Sequence, residues 1–218
     1  MCFSATASFG AGVALTALGV VAIKKTQERN HLLFASIPLL FAAQQLTEGC
    51  VWLSLTNPAY VFMQQASTHV FIFFAQVVWP VWVPLSIYYL VPRHRRNFSS
   101  RFLIAIGVMV GLNLAYCLSA YYIEAHVEGY HIYYQQDYPS RLGGLFSVLY
   151  FIATVFPPFF TRIRRMWYFG IAVVISYVIT EVFYTQYIIS VWCFFAAIIS
   201  ASILAVVYGM ERHPESNA

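Results

Sequence analysis

The chain has 218 residues, of which 61% are hydrophobic and only 9% charged, and its mean hydropathy is +0.69. A water-soluble domain of this size carries about a quarter charged residues. Twenty formal charges could not cover a solvated surface, so the composition excludes a soluble enzyme or a nucleic-acid-binding domain and predicts an all-α integral membrane protein of one domain, residues 1–218.

Charge-free stretches predict the spans in chain order. The first covers Ser4–Ile23, is retained rather than cleaved, and carries a stripe of small residues at Ser4, Ser8 and Gly12. The second runs Leu32–Leu55, with Glu48 its one formal charge. The third is Val61–Val91 and contains Trp79-Pro80-Val81-Trp82-Val83-Pro84, where two prolines four apart predict a kink. The fourth is Phe102–Ile123 and the fifth Leu142–Phe160.

Between Met166 and Met210 the one formal charge is Glu181. A helix of that length would be roughly twice the ~30 Å hydrocarbon core. The stretch is therefore expected to be two spans with a turn near Tyr184–Ser190, the second bearing a small-residue stripe (Ser190, Cys193, Ala197, Ser200) expected to pack with or near the first. The total expected is a seven-helix bundle. The remaining extramembrane piece, Glu124–Arg141, is expected to lie on the membrane surface.

Loop charge predicts orientation. Lys24, Lys25, Arg29, Arg93, Arg95, Arg96, Arg101, Arg162, Arg164, Arg165 and Arg212 fall in alternate loops and the C-terminal tail, and Arg141 alone falls on the other side. By the positive-inside rule the N-terminus is outside and the C-terminus cytoplasmic. The basic loops are accounted for by topology, with lipid rather than nucleic acid as the expected partner.

Polar residues inside spans point to function, because an ionisable group there is costly unless it meets a partner or water. Gln44, Gln45 and Glu48 fall within one turn, with Trp52 a turn beyond. His69 and Gln76 share a face of the third span, and Glu181 sits in the sixth. With the predicted orientation, these residues and Cys2, Cys193 and Trp192 lie towards the outer side. The expectation is an outward-facing polar pocket with Glu48, His69 and Glu181 as its core, binding a divalent metal ion or a small ligand.

Cys2 has several open roles: a metal ligand, an N-terminal nucleophile, a disulfide partner of Cys193, or an inert thiol. A metal-dependent membrane hydrolase, a proton-coupled transporter of a small solute, and a sensor or assembly protein without catalysis all remain open. Interhelical hydrogen bonding is the structural alternative for each buried polar residue.

Five segments carry a resemblance: MCFSATASF at the start, QQLTEGCVW at 44–52, WPVWVP at 79–84, GYHIYY at 129–134 and SVWCFFAA at 190–197. Together they resemble an uncharacterised family of small multi-span prokaryotic membrane proteins. The resemblance implies a bacterial or archaeal inner-membrane protein and brings no catalytic residue. Its motifs fall on Cys2, Glu48, His131, Trp192 and Cys193, which adds His131 to the mouth of the expected pocket.

Overall fold

The computed structural model describes residues 4–139, 143–161 and 163–212, and they are mostly helical. Helix α1 (Ala5–Lys25) begins where the Ser4 hydroxyl accepts from the Ala7 N–H. Next come a short α2 (Leu32–Ala35) and α3 (Ile37–Thr56), separated by a bend at Ser36 just ahead of Pro38. The expected second span is therefore bent.

Helix α3 is the centre of the molecule. More than half of its residues are buried. Gly12 of the small stripe of α1 faces it: a methyl group at Gly12 would collide with Leu46, and one further along α1 at Gly19 with Leu39. On another side α3 meets α9 (Ile188–Ser200) through Ser190. The two small-residue stripes thus pack on a shared neighbour.

The third predicted span is one helical stretch, Pro58–Leu90, of 33 residues. It contains α4 (Gln64–Ile72), a π-helical turn over Phe73–Val78 and α5 (Trp79–Leu90), which holds Pro84. In the i to i+5 register of a π turn, the donor due to the Ala75 carbonyl is residue 80, a proline without an N–H. The Tyr150 hydroxyl donates to that carbonyl instead, at 2.5 Å. Pro84 likewise leaves the Pro80 carbonyl without its i+4 donor. That carbonyl lies against α6 (Phe98–Ala120) at Gly107, so closely that a Cβ there would stand 1.8 Å from the oxygen.

Beyond α6 the structure departs from the expected surface loop. Ile123–Glu128 (β1) and His131–Gln136 (β2) form an antiparallel hairpin that pairs Glu128 with His131 across a Gly129-Tyr130 turn. Gly129 has φ +61° and Tyr130 does not, the pattern of a two-residue turn with glycine first. One face of the hairpin, Ile123, Ala125, Ile132 and Tyr134, closes one end of the bundle over Val51, Trp52, Phe71 and Ile72.

Helix α7 (Gly143–Val155) has 13 residues, about 20 Å, and gives way to a 3-10 turn at Pro157–Phe160. Helix α8 (Arg164–Phe183) is followed by a turn at Thr185–Tyr187, then α9 and α10 (Ser202–Arg212). The expected turn between the last two spans therefore falls where the sequence suggested.

Among the described residues, five helical stretches are long and apolar enough to cross a membrane: Ala5–Lys25, Pro58–Leu90, Phe98–Ala120, Met166–Phe183 and Thr185–Gly209. The other two expected spans miss that description for different reasons. Helix α3 has the length, but Gln44, Gln45 and Glu48 lower its hydropathy, whereas α7 is apolar and short.

Candidate functional site

Two polar assemblies meet at α9, which contributes Ser190 to one and Trp192 and Cys193 to the other. The deeper one is built on α3. Glu48 is fully buried, accepting from the Ser190 hydroxyl at 2.5 Å and from the Gln45 amide at 3.2 Å. One turn earlier, Gln44 accepts from the Trp79 indole N–H at 2.7 Å, and Trp79 stacks on Phe41 with ring centres 3.8 Å apart. The Ser190 and Trp79 contacts join α3 to α9 and α5, which is the work of interhelical hydrogen bonds, and the Gln45 contact lies within α3 itself.

The second assembly is a cavity of about 390 Å³ at the hairpin end of the bundle. Its walls come from the π turn (Ala75, Gln76), α6 (Asn113, Cys117), β2 and the segment after it (Gln136, Tyr138), α7 (Ser147, Tyr150), α8 (Tyr177) and α9 (Trp192, Cys193). Trp192 stands edge-on between Tyr150 and Tyr177, at 6.0 and 5.2 Å between ring centres. No formally charged side chain lines the cavity among the described residues.

A directional chain of hydrogen bonds runs along one wall. Tyr138 donates to the Gln76 carbonyl at 3.2 Å, and the Gln76 amide donates to the Gln136 carbonyl at 2.9 Å. Burial raises the pKa of Tyr138, which keeps its hydroxyl a donor. With the Gln136 oxygen taken, its amide nitrogen is the end of the chain. It has no hydrogen-bond partner among the described residues, and neither has the Trp192 indole N–H. Both side chains line the one cavity, and each carries a buried N–H with no partner among the described residues. Buried donors are rarely left so in a native interior.

A smaller cavity, about 50 Å³, adjoins the first and shares Tyr150, Trp192 and Cys193 with it. Phe34, Ile37, Phe41, Trp79 and Val83 are among its apolar walls.

The structure brings together only part of the predicted site. Gln76, Trp192 and Cys193 line the large cavity, and Glu48, Gln44 and Gln45 form the buried cluster beside it. His69 is half-buried on α4 and shares its Nδ1 with the Gln65 carbonyl of its own helix at 2.9 Å. Glu181 is exposed on α8, beside Tyr177. Glu48, His69 and Glu181 thus do not form the expected core: no group of three or more His, Cys, Asp or Glu side chains placed to hold a metal ion occurs among the described residues. Trp52 is buried beneath the hairpin.

His131 is at the hairpin rim rather than in the cavity wall. It stacks on Tyr187 with ring centres 4.7 Å apart and meets Tyr184 edge-on. Burial lowers its pKa. Tyr187 in turn donates to Glu128 at 3.1 Å, fastening the hairpin to the α8–α9 turn. Cys2 lies outside the described residues, and no disulfide joins the described cysteines, Cys50, Cys117 and Cys193.

Residues that sequence reasoning missed are Gln136, Tyr138, Ser147 and Tyr150. The first two sit in the segment expected to lie on the membrane surface. The alternation Ile123, Ala125, Val127 and then Ile132, Tyr134, Gln136 around Gly129 was the available signal.

Residues 1–218 match a family described as a family of unknown function, DUF6629. No curated protein and no solved structure matches the chain.

Proposed function

The chain belongs to the DUF6629 family of unknown function over its whole length, and from that premise we propose that it is a seven-span inner-membrane protein of a prokaryote. In this reading its N-terminus is outside, its C-terminus is cytoplasmic, and it binds a small ligand in the cavity beneath the hairpin. The five long apolar helices support the membrane assignment. Helices α3 and α7 supply the remaining two crossings, α3 shielded by its neighbours and α7 extended by the turn that follows it. The distribution of eleven of twelve basic residues to one side supports the orientation.

The observation that carries ligand binding is the pair of unused buried donors, Gln136 Nε2 and Trp192 Nε1, in the wall of a 390 Å³ cavity. That volume is within the range of small-molecule pockets, about 300–1,000 Å³, and the mostly apolar lining with a few polar groups is typical of them. Each donor gains a partner when an acceptor enters.

The test is native mass spectrometry of protein purified in a mild detergent. A bound small molecule should appear on the wild type and be reduced in Trp192→Phe, which keeps an aromatic ring and removes the N–H. A wild-type spectrum with no retained mass in any mild detergent, or retention equal in the variant, would count against the pocket.

A further inference from the structure

We propose that the cavity takes a neutral lipid bearing a carbonyl oxygen in its head, an acylglycerol-like molecule, and that this lipid enters sideways from the bilayer between α6 and α7. The inference rests on the membrane-bundle reading above and names the ligand class of the same cavity.

Three observations converge on it. The first is the chemistry of the wall. The chain from Tyr138 through Gln76 to Gln136 runs in one direction and ends on an N–H, and Trp192 adds a second N–H. A carbonyl or ester oxygen is an acceptor for either N–H. The described wall offers no cation to pair with a carboxylate or phosphate and no anion to pair with an amine, so a charged head would be desolvated without compensation.

The second observation is where the mouth lies. Tyr116, Gly143 and Ser147 are cavity-lining residues that are also exposed. Tyr116 shares a face of α6 with Leu112, one turn away, which is 68% exposed, and with Met109. Beside Ser147 on α7 stand Leu145 and Val148, both more than half exposed. Among the described residues, the faces of α6 and α7 beside the opening therefore carry exposed hydrocarbon, the kind of surface that faces acyl chains. Water-soluble ligands would meet an apolar rim there.

The third is depth. Tyr116 is one turn from the end of α6 and Ser147 one turn from the start of α7. In a bilayer those positions lie near the boundary between hydrocarbon and headgroup, where ester carbonyls of lipids reside and tyrosine is enriched. A chain leading inward from such a head meets Tyr150 and Trp192 and then the small, apolar second cavity.

The experiment is photolabelling in phosphatidylcholine proteoliposomes with three diazirine probes: a monoacylglycerol, a fatty acid of equal chain length and a water-soluble alcohol. The monoacylglycerol should label peptides of α6, α7 and α9, and unlabelled monoacylglycerol should compete. Labelling should fall about fivefold in Gln136→Leu and again in Trp192→Phe, the loss of one hydrogen bond each. Ser147→Trp, at an exposed position on the rim of the cavity, should block entry. Equal labelling by the fatty acid would overturn the inference, as would labelling indifferent to all three substitutions. Labelling of the cavity by the water-soluble alcohol alone would overturn the lipid assignment and keep the pocket. No cavity labelling by any probe would remove both.

Discussion

A single hydroxyl shows how this sequence handles its prolines. Tyr150 donates to the Ala75 carbonyl, whose expected π-turn donor is Pro80. Tyr150→Phe should destabilise the protein by about 1–3 kcal/mol, the cost of stranding a buried acceptor. In a Pro80→Ala background an N–H becomes available to that carbonyl, and the cost of Tyr150→Phe should shrink. Thermal unfolding in detergent for the four members of the cycle measures the coupling. Additive effects would mean that Tyr150 matters for some other reason. At this scale the sequence singled out Glu48, Gln44 and Gln45 as costly polar residues within a hydrophobic segment, and all three are fully buried. It was silent on azimuth. Topology sets how deep a residue lies but not which way its helix is turned, so Glu181 looks equivalent to Glu48 in sequence and faces outward in the fold.

Among the elements, contact between α5 and α6 depends on Gly107, because the freed Pro80 carbonyl occupies the space of a side chain. Gly107→Ala should lower Tm sharply, corresponding to 1–3 kcal/mol or more for overpacking, about the upper end of that class. Gly10→Ala on α1 is the matched control. Nothing lies within 4 Å of a methyl group there, so helix propensity should leave the protein unchanged or more stable by about 0.5–1 kcal/mol. Equal losses from both substitutions would refute the packing account.

The hairpin carries its own pH dependence. Burial places the folded pKa of His131 below its unfolded value, near 6.5. Between those two values the unfolded chain binds more protons, so stability is intact above about pH 6.5 and declines as pH falls below it. His131→Phe keeps a ring against Tyr187 and should flatten the fall in Tm between pH 7.5 and 5.5. An unchanged slope would exclude His131 as its source. The hairpin was only partly legible. Its alternation is present in the sequence, but tyrosines, histidines and glutamines in a short segment between spans have the composition of an interfacial loop.

For the whole molecule, the helical segments were legible, and five of the seven expected spans have, among the described residues, the length and apolarity to cross a membrane. Hydropathy finds segments that face lipid, and α3 faces protein instead, whereas α7 ends early at Pro157 and Pro158. Orientation can be tested with an impermeant maleimide on intact cells. Tyr130→Cys at the exposed hairpin tip should label well above the parent protein, and Lys25→Cys only after lysis. The reverse pattern would invert the topology.

Helix α3 also bears on how the protein is made. Its carboxylate and two amides would partition poorly into acyl chains alone, a central acidic residue costing about 2.5 kcal/mol or more at insertion. Its closest neighbour is α1, fitted to it at Gly12 and Gly19. If α3 crosses the bilayer as proposed, α1 is the helix fitted to shield it, and a bulky residue at Gly12 or Gly19 should impair insertion as well as final packing.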